Sequence, residues 1–128
     1  MNHLYTIGID FGTQSGRAVL VRTKDGKIVA RAECPYEHGT FTARLPSGRI
    51  LPPDFCLQDP RDYEKAVSIM IRNLKRASGV GVDSIIGICI AATACSLVPV
   101  DEKFRPLVEN AKWADNPHAY LKLWKHHG

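Results

Sequence analysis

Asp10, Gly12 and Thr13 sit where an apolar, β-rich run, Leu4 to Asp10, breaks into a glycine-containing turn, Phe11 to Gly16. Each residue type suits one part of a phosphate site. A glycine lets backbone come close to a phosphate, a threonine hydroxyl and neighbouring amides donate to its oxygens, and an aspartate at a strand end orients a hydrated magnesium ion. A carboxylate beside a phosphate is tolerable only with a cation between them, so Asp10 implies the metal. The pattern Asp10-Phe11-Gly12-Thr13 also occurs by chance as a plain hairpin turn with a helpful glycine. Its position between two β-rich runs at the start of the chain favours phosphate.

Other tempting groups have simpler uses. Asp59 and Asp62 form a spaced carboxylate pair, but Asp59-Pro60-Arg61-Asp62 reads as a helix start. Asp59 there caps orphan amides, Pro60 suits the first turn and Asp62 complements the helix dipole, so neither is assigned to acid–base work. Cys34, Cys56, Cys89 and Cys95 show no CxxC spacing and read as reduced thiols. A zinc set of Cys95 with His126 and His127 fails, because adjacent histidines on a helix point about 100° apart and no second ligand pair exists.

These residues must be positioned by the elements around them. Leu4 to Asp10, Arg17 to Thr23 and Ile28 to Tyr36 read as three strands, with the Asp25-Gly26 pair supplying the second tight turn, so the chain opens as an antiparallel meander. Residues 37–58 carry Gly39, Pro46, Gly48, Pro52 and Pro53 without a sustained period and read as an irregular insertion. Tyr63, Ala66, Val67, Met70, Ile71 and Leu74 recur at helical spacing until Gly79. Ser84 to Ala92 is nearly all apolar and predicts a strand buried on both faces, paired with a short strand at Leu97 to Val100 across the Thr93-Ala94-Cys95-Ser96 turn. Asn116-Pro117 predicts a second helix through Tyr120, Leu123 and Trp124.

The 128 residues have room for one ordinary domain, and 45% hydrophobic with 23% charged content is that of a globular chain rather than a disordered one. The longest apolar runs fall far short of the roughly 20 residues that cross a bilayer. No basic segment leads into a long apolar stretch at the start, so no export signal is visible and a cytoplasmic location is expected. The net charge of +4 is spread among acids rather than gathered into a stripe, which argues against nucleic acid as partner.

The order of three antiparallel strands, helix, strand pair and helix, with Asp10-Phe11-Gly12-Thr13 at the first turn, resembles the α/β, ribonuclease H-like fold of the actin-like ATPases. The segments DFGTQSGRAVLV, LQDPRDY, TACSLVPVD and above all DNPHAYLKLWKHH resemble the ribulokinase branch of the FGGY carbohydrate kinases, over essentially all of the chain. The resemblance implies ATP and magnesium as cofactors and transfer of the ATP γ-phosphate to a ketopentose, L-ribulose, giving L-ribulose 5-phosphate in arabinose catabolism. Another ketopentose or a polyol as acceptor, or a non-catalytic nucleotide- or sugar-binding module, are the alternatives.

Carried over by matching position, Asp10 is the magnesium residue, through water, while Gly12, Thr13 and Arg17 bind the ATP phosphates. Thr93, Ala94 and Cys95 form a loop near the sugar, and Trp124 and Lys125 line its pocket. An indole suits that task, since its face packs on sugar C–H groups and its N–H meets a hydroxyl. Several of these residues and their neighbours also have a plainer use. Trp124 shares an apolar helical stripe with Tyr120 and Leu123, as a core tryptophan would. Lys122, Lys125, His126 and His127 suit a solvated helix face, Thr93 and Ser96 suit turn hydroxyls, and Arg17 suits a surface ion pair.

Two departures from the family pattern concern the sugar. Ala91-Ala92 stands where the resemblance implies Asp-Phe, removing a carboxylate, and Ala114 replaces a larger, often basic residue. The resemblance places the catalytic base and the adenosine pocket outside these residues. Residues 1–128 are accordingly expected to be a partial N-terminal sugar-kinase domain, with the C-terminal kinase domain absent, the remainder of the kinase chain as partner, and no turnover of ATP by the chain alone.

Overall fold

A computed structural model describes residues 3–128. In chain order the elements are β1 (Tyr5–Phe11), β2 (Ser15–Arg22), β3 (Ile28–Pro35), β4 (Thr40–Phe41), β5 (Leu57–Gln58), α1 (Arg61–Ser78), β6 (Ile85–Ala92) and β7 (Leu121–Lys122). They divide between two compact units, one running up to Tyr36 and resuming at Tyr63–Ala92, the other made of Glu37–Asp62 and Thr93–Gly128.

The first unit holds a four-stranded mixed sheet in the order β3-β2-β1-β6. The expected meander is there: β1 pairs antiparallel with β2 and β2 with β3, while β6 joins β1 in parallel. Alternation along β1 sends Ile7, Ile9 and Phe11 to one face, where they are buried with Ala18 and Leu20 of β2 against Ala66, Met70 and Leu74 of α1. The helix keeps its predicted limits because Asp59 accepts the Arg61 N–H at 3.0 Å and Gly79 ends it at φ +68°.

β6 corrects the expectation of a strand buried on both faces. Ile86, Ile88 and Ile90 are 59%, 56% and 60% exposed, and the small residues on the other face are open as well. The apolar run did specify a strand beside β1, but β6 is the sheet edge, and among the described residues of this unit nothing pairs with its outer edge or covers its exposed isoleucines.

The second unit has a small antiparallel sheet, β4-β5-β7, over a core of Leu45, Leu51, Phe55, Leu57, Val108, Ala119 and Tyr120. Residues 37–58 are thus not merely an irregular insertion: they supply two of the three strands and much of this core. The strand expected at Leu97 to Val100 is reduced to single bridges, Leu97 to Lys122 and Val100 to Pro106, so β6 has no partner strand there. The final helix is also corrected. Asn116 caps one 3₁₀ turn, Pro117–Ala119, by accepting the His118 N–H at 3.0 Å, but Tyr120 is extended at φ −84°, ψ 159° and Leu121–Lys122 pairs with β5. Pairing with a distant strand has overridden the local helix signal.

Beyond β7 the chain is pinned by His126, whose Nδ1 accepts the Cys56 N–H at 3.2 Å. Burial, followed by the charge of Lys122, holds its pKa below the ordinary 6.5. Protonation of Nδ1 would set one donor against another.

Two measurements test this packing. In urea unfolding, Met70→Ala should cost about 2–5 kcal/mol through the cavity it leaves, whereas Ile90→Thr on the open strand should change stability by less than about 1 kcal/mol. Because the unfolded His126 takes up its proton first, its contribution is complete above pH 6.5 and is lost as pH falls toward the lower folded value. The thermal midpoint should therefore drop on acidification from pH 7 to 5, and His126→Asn, whose amide oxygen can accept the same N–H, should flatten part of that drop.

Candidate functional site

The turn at the end of the β1–β2 hairpin is closed by one backbone bond, Gly12 N–H to the Ser15 carbonyl at 3.0 Å. A Cβ on residue 12 would lie 3.1 Å from that same carbonyl, so the approach of the two strands is what asks for glycine. Tyr36, immediately after β3, makes two contacts with this turn: its hydroxyl donates to the Gly12 carbonyl at 2.9 Å and its N–H to the Gln14 carbonyl at 3.0 Å. Nothing in the spacing of the sequence singles out Tyr36. The only available signal is that a buried tyrosine hydroxyl needs a partner.

Asp10 is exposed on the sheet face opposite the helix, directly across from Arg17 in the antiparallel register and beside Ala91 in the parallel one. A shallow depression on this face is lined by Asp10, Arg17, Val19, Cys89 and Ala91. Arg17 is drawn to Glu33 on β3, its Nε donating to Oε1 at 3.4 Å, and Ser15 Oγ donates to the same oxygen at 2.8 Å. The Ser15 bond, then the Arg17 bond and charge, lower the pKa of Glu33. Asp10, Gly12, Thr13 and Arg17 thus share one end of one hairpin.

Thr93, Ala94, Cys95, Trp124 and Lys125 belong to the second unit. The Thr93 and Ser96 hydroxyls bond each other at 2.9 Å across a tight turn in which Cys95 takes φ +60°, a left-handed conformation that costs a non-glycine residue about 1 kcal/mol or more. Leu97 then exchanges two backbone bonds with Lys122, at 3.0 and 2.8 Å. This bridge is one residue from Ser96 and two from Trp124, so it sets the two predicted sugar segments side by side. A turn closed by His126 N–H to the Leu123 carbonyl at 2.8 Å carries Trp124 and Lys125. Leu123 and Tyr120 are buried, but Trp124 is 52% exposed with the Lys125 ammonium 5.0 Å over its ring, so it is not the core residue that a helical stripe would have made it.

The two acids at the helix start have structural partners. Asp59 is fully buried, bonded to the Arg61 guanidinium and N–H. Asp62 is buried and accepts both the His38 N–H at 3.0 Å and a bond with His38 Nδ1 at 2.9 Å, so it holds the segment after β3 rather than acting only on the helix dipole. A depression of about 250 Å³ lined by Asp101, Arg105, Leu107, Asn110 and Trp113 contains none of the predicted site residues. No helix among the described residues is long and apolar enough to cross a membrane.

Residues 5–125 match the N-terminal domain of the FGGY family of carbohydrate kinases. The chain is 44% identical over 128 residues to the ribulokinase of Halalkalibacterium halodurans, covering 99% of this chain and 23% of that protein's length. The xylulose kinase from Rhodospirillum rubrum superposes on 97% of this chain and 21% of its own with a TM-score of 0.66 at 22% identity. The gluconate kinase from Lactobacillus acidophilus does so on 97% and 20% with a TM-score of 0.68 at 21% identity. The mixed sheet and its helix are therefore the fold of these sugar kinases, and the chain belongs to the FGGY family of carbohydrate kinases through its N-terminal domain.

Proposed function

We propose that this chain is the N-terminal part of an ATP-dependent ribulokinase, which phosphorylates L-ribulose to L-ribulose 5-phosphate. The Leu97–Lys122 bridge carries the proposal, because it brings the Thr93-Ala94-Cys95 loop and the Trp124-Lys125 turn to one edge, where together they could meet a sugar. The 44% identity to a ribulokinase supports ribulose as the sugar, where the more distant structures support the fold alone.

Asp10, Gly12, Thr13 and Arg17 would hold the magnesium nucleotide, which supplies the phosphoryl group. Asp10 is exposed and can reach a hydrated ion, and Arg17 stands opposite it to offset phosphate charge. Trp124 would pack on the sugar and Lys125 would neutralise charge nearby. No residue among 3–128 is assigned as the base that accepts the sugar hydroxyl's proton. Transfer needs that group as well as positioning, and the chain spans 23% of the length of the ribulokinase it matches. The open edge and faces of β6 also support a role within a larger kinase, since contiguous exposed apolar surface is usually a contact surface.

One observation favours a second reading, a non-catalytic nucleotide- or sugar-binding module. The parallel register sets residue 91 beside Asp10, so the carboxylate implied there by the family pattern would have stood next to the proposed metal residue, and alanine leaves Asp10 alone.

Nitrogen-resolved NMR of the chain should show Gly12 and Thr13 amides moving with magnesium ATP and the Trp124 indole moving with L-ribulose. Saturating ligand that leaves these signals in place would overturn the assignment. A coupled assay should detect no ribulose-dependent ADP release by pure chain, and release would place the base within these residues after all. Ala91→Asp adds a second carboxylate and should let manganese broaden the Gly12 and Thr13 signals at roughly tenfold lower concentration, since affinity for hard cations follows ligand charge.

A further inference from the structure

We propose that Tyr36 is a positioning residue for the phosphate turn, fixing the direction of two of its peptide planes; this rests on the assignment of Gly12 and Thr13 to phosphate binding. A loop that wraps an anion must present N–H groups to it and keep carbonyl oxygens turned away. In this turn the carbonyls of Gly12, Gln14 and Ser15 each accept a hydrogen bond, the first two from Tyr36 and the third from Gly12 N–H. A trans peptide is planar, with its C=O and N–H pointing in opposite directions. Anchoring the Gly12 oxygen on the Tyr36 hydroxyl therefore aims the Thr13 N–H away from Tyr36, and anchoring the Gln14 oxygen on the Tyr36 N–H does the same for Ser15. Without the hydroxyl, the Gly12–Thr13 plane loses one contact that opposes its rotation, and glycine allows that rotation more readily than other residues.

The hydroxyl is itself well placed to do this. Tyr36 is only 7% exposed, its ring packs 4.9 Å from that of Tyr63 on α1, and Tyr63 in turn meets Phe11 of β1 edge-on at 5.1 Å. Its backbone continues the β2–β3 register, in which Ser15 is opposite Pro35, so its N–H falls opposite Gln14. Both anchors therefore come from one residue held by helix and sheet together.

The test is Tyr36→Phe in the full chain, which removes one oxygen and keeps the ring packing. Three quantities are read: amide exchange along residues 12–22, the thermal midpoint, and affinity for magnesium ATP by NMR titration. Exchange at Gly12, whose N–H closes the turn on the Ser15 carbonyl, should speed up severalfold while Val19 and Leu20 stay unchanged. The midpoint should move little, and nucleotide affinity should fall roughly 3- to 10-fold, the usual range for one lost hydrogen bond. Equal affinity in the two proteins would overturn the role of Tyr36 and leave phosphate binding by the turn standing. Exchange that accelerates equally throughout β2 would overturn it too, showing a general structural loss. If the unsubstituted chain fails to bind magnesium ATP, phosphate recognition by the turn falls and the positioning role falls with it.

Discussion

The close approach of α1 to β2 at Gly16 governs the end of the sheet that carries the proposed phosphate turn. A Cβ at that position would lie 2.8 Å from Met70 Cε and 3.3 Å from its Sδ, and Met70 is completely buried. With a bare backbone there, the thioether settles against the strand one residue after the turn ends. Burying such a side chain contributes about 1.5–3 kcal/mol, so the contact that stabilises the unit also fixes the base of the hairpin. Phe11, Tyr63 and Tyr36 continue the same packing up to the Gly12 carbonyl. The turn proposed to bind phosphate is thus built on a well-packed part of the first unit, which would keep the ordering cost low for a ligand there.

What could be read from the sequence is what depends on neighbours along the chain. The alternation of β1 to β3, the Asp25-Gly26 turn, the Asp59 cap and the Gly79 stop are all short-range signals, and each element formed where those signals put it. The errors fall where a partner far along the chain decides. Asn116-Pro117 is a sound helix start, yet Leu121 and Lys122 are claimed by β5, more than 60 residues earlier. An apolar run such as SIIGICIAA says that a strand wants cover but not whether the cover lies within the same 128 residues. Asp62 shows the same limit on a smaller scale. Its helix-start position was legible, and its bonds to His38, 24 residues away, were not.

The proposed phosphate turn could be suggested from the sequence because Asp10 to Thr13 are four consecutive residues, while the groups that hold the turn come from β3 and just beyond. Glu33 draws on Ser15 and Arg17, and Tyr36 draws on Gly12 and Gln14, by contacts that no local motif encodes. For Arg17 the surface-pair alternative and the proposed phosphate role are compatible. A 3.4 Å contact between side chains 67% and 55% exposed is worth little and can be exchanged for a stronger bidentate bond to an anion.

Trp124 supplies the physical argument for a ligand at the second unit's edge. An exposed cation–π contact of the kind it makes with Lys125 contributes about 0.5–1 kcal/mol, far less than an indole gains on being fully buried. Tyr120 and Leu123, on either side of it, show that the same segment can bury large side chains where the core accepts them. The turn closed by His126 N–H on the Leu123 carbonyl instead turns the indole outward, at a small cost to stability, and does so beside the Thr93–Ser96 loop. Kinases named for xylulose and gluconate share this fold at 22% and 21% identity. For the sugar contact proposed for Trp124, a large flat side chain with a polar N–H, exposed at this corner, is suited in a way that a buried residue is not.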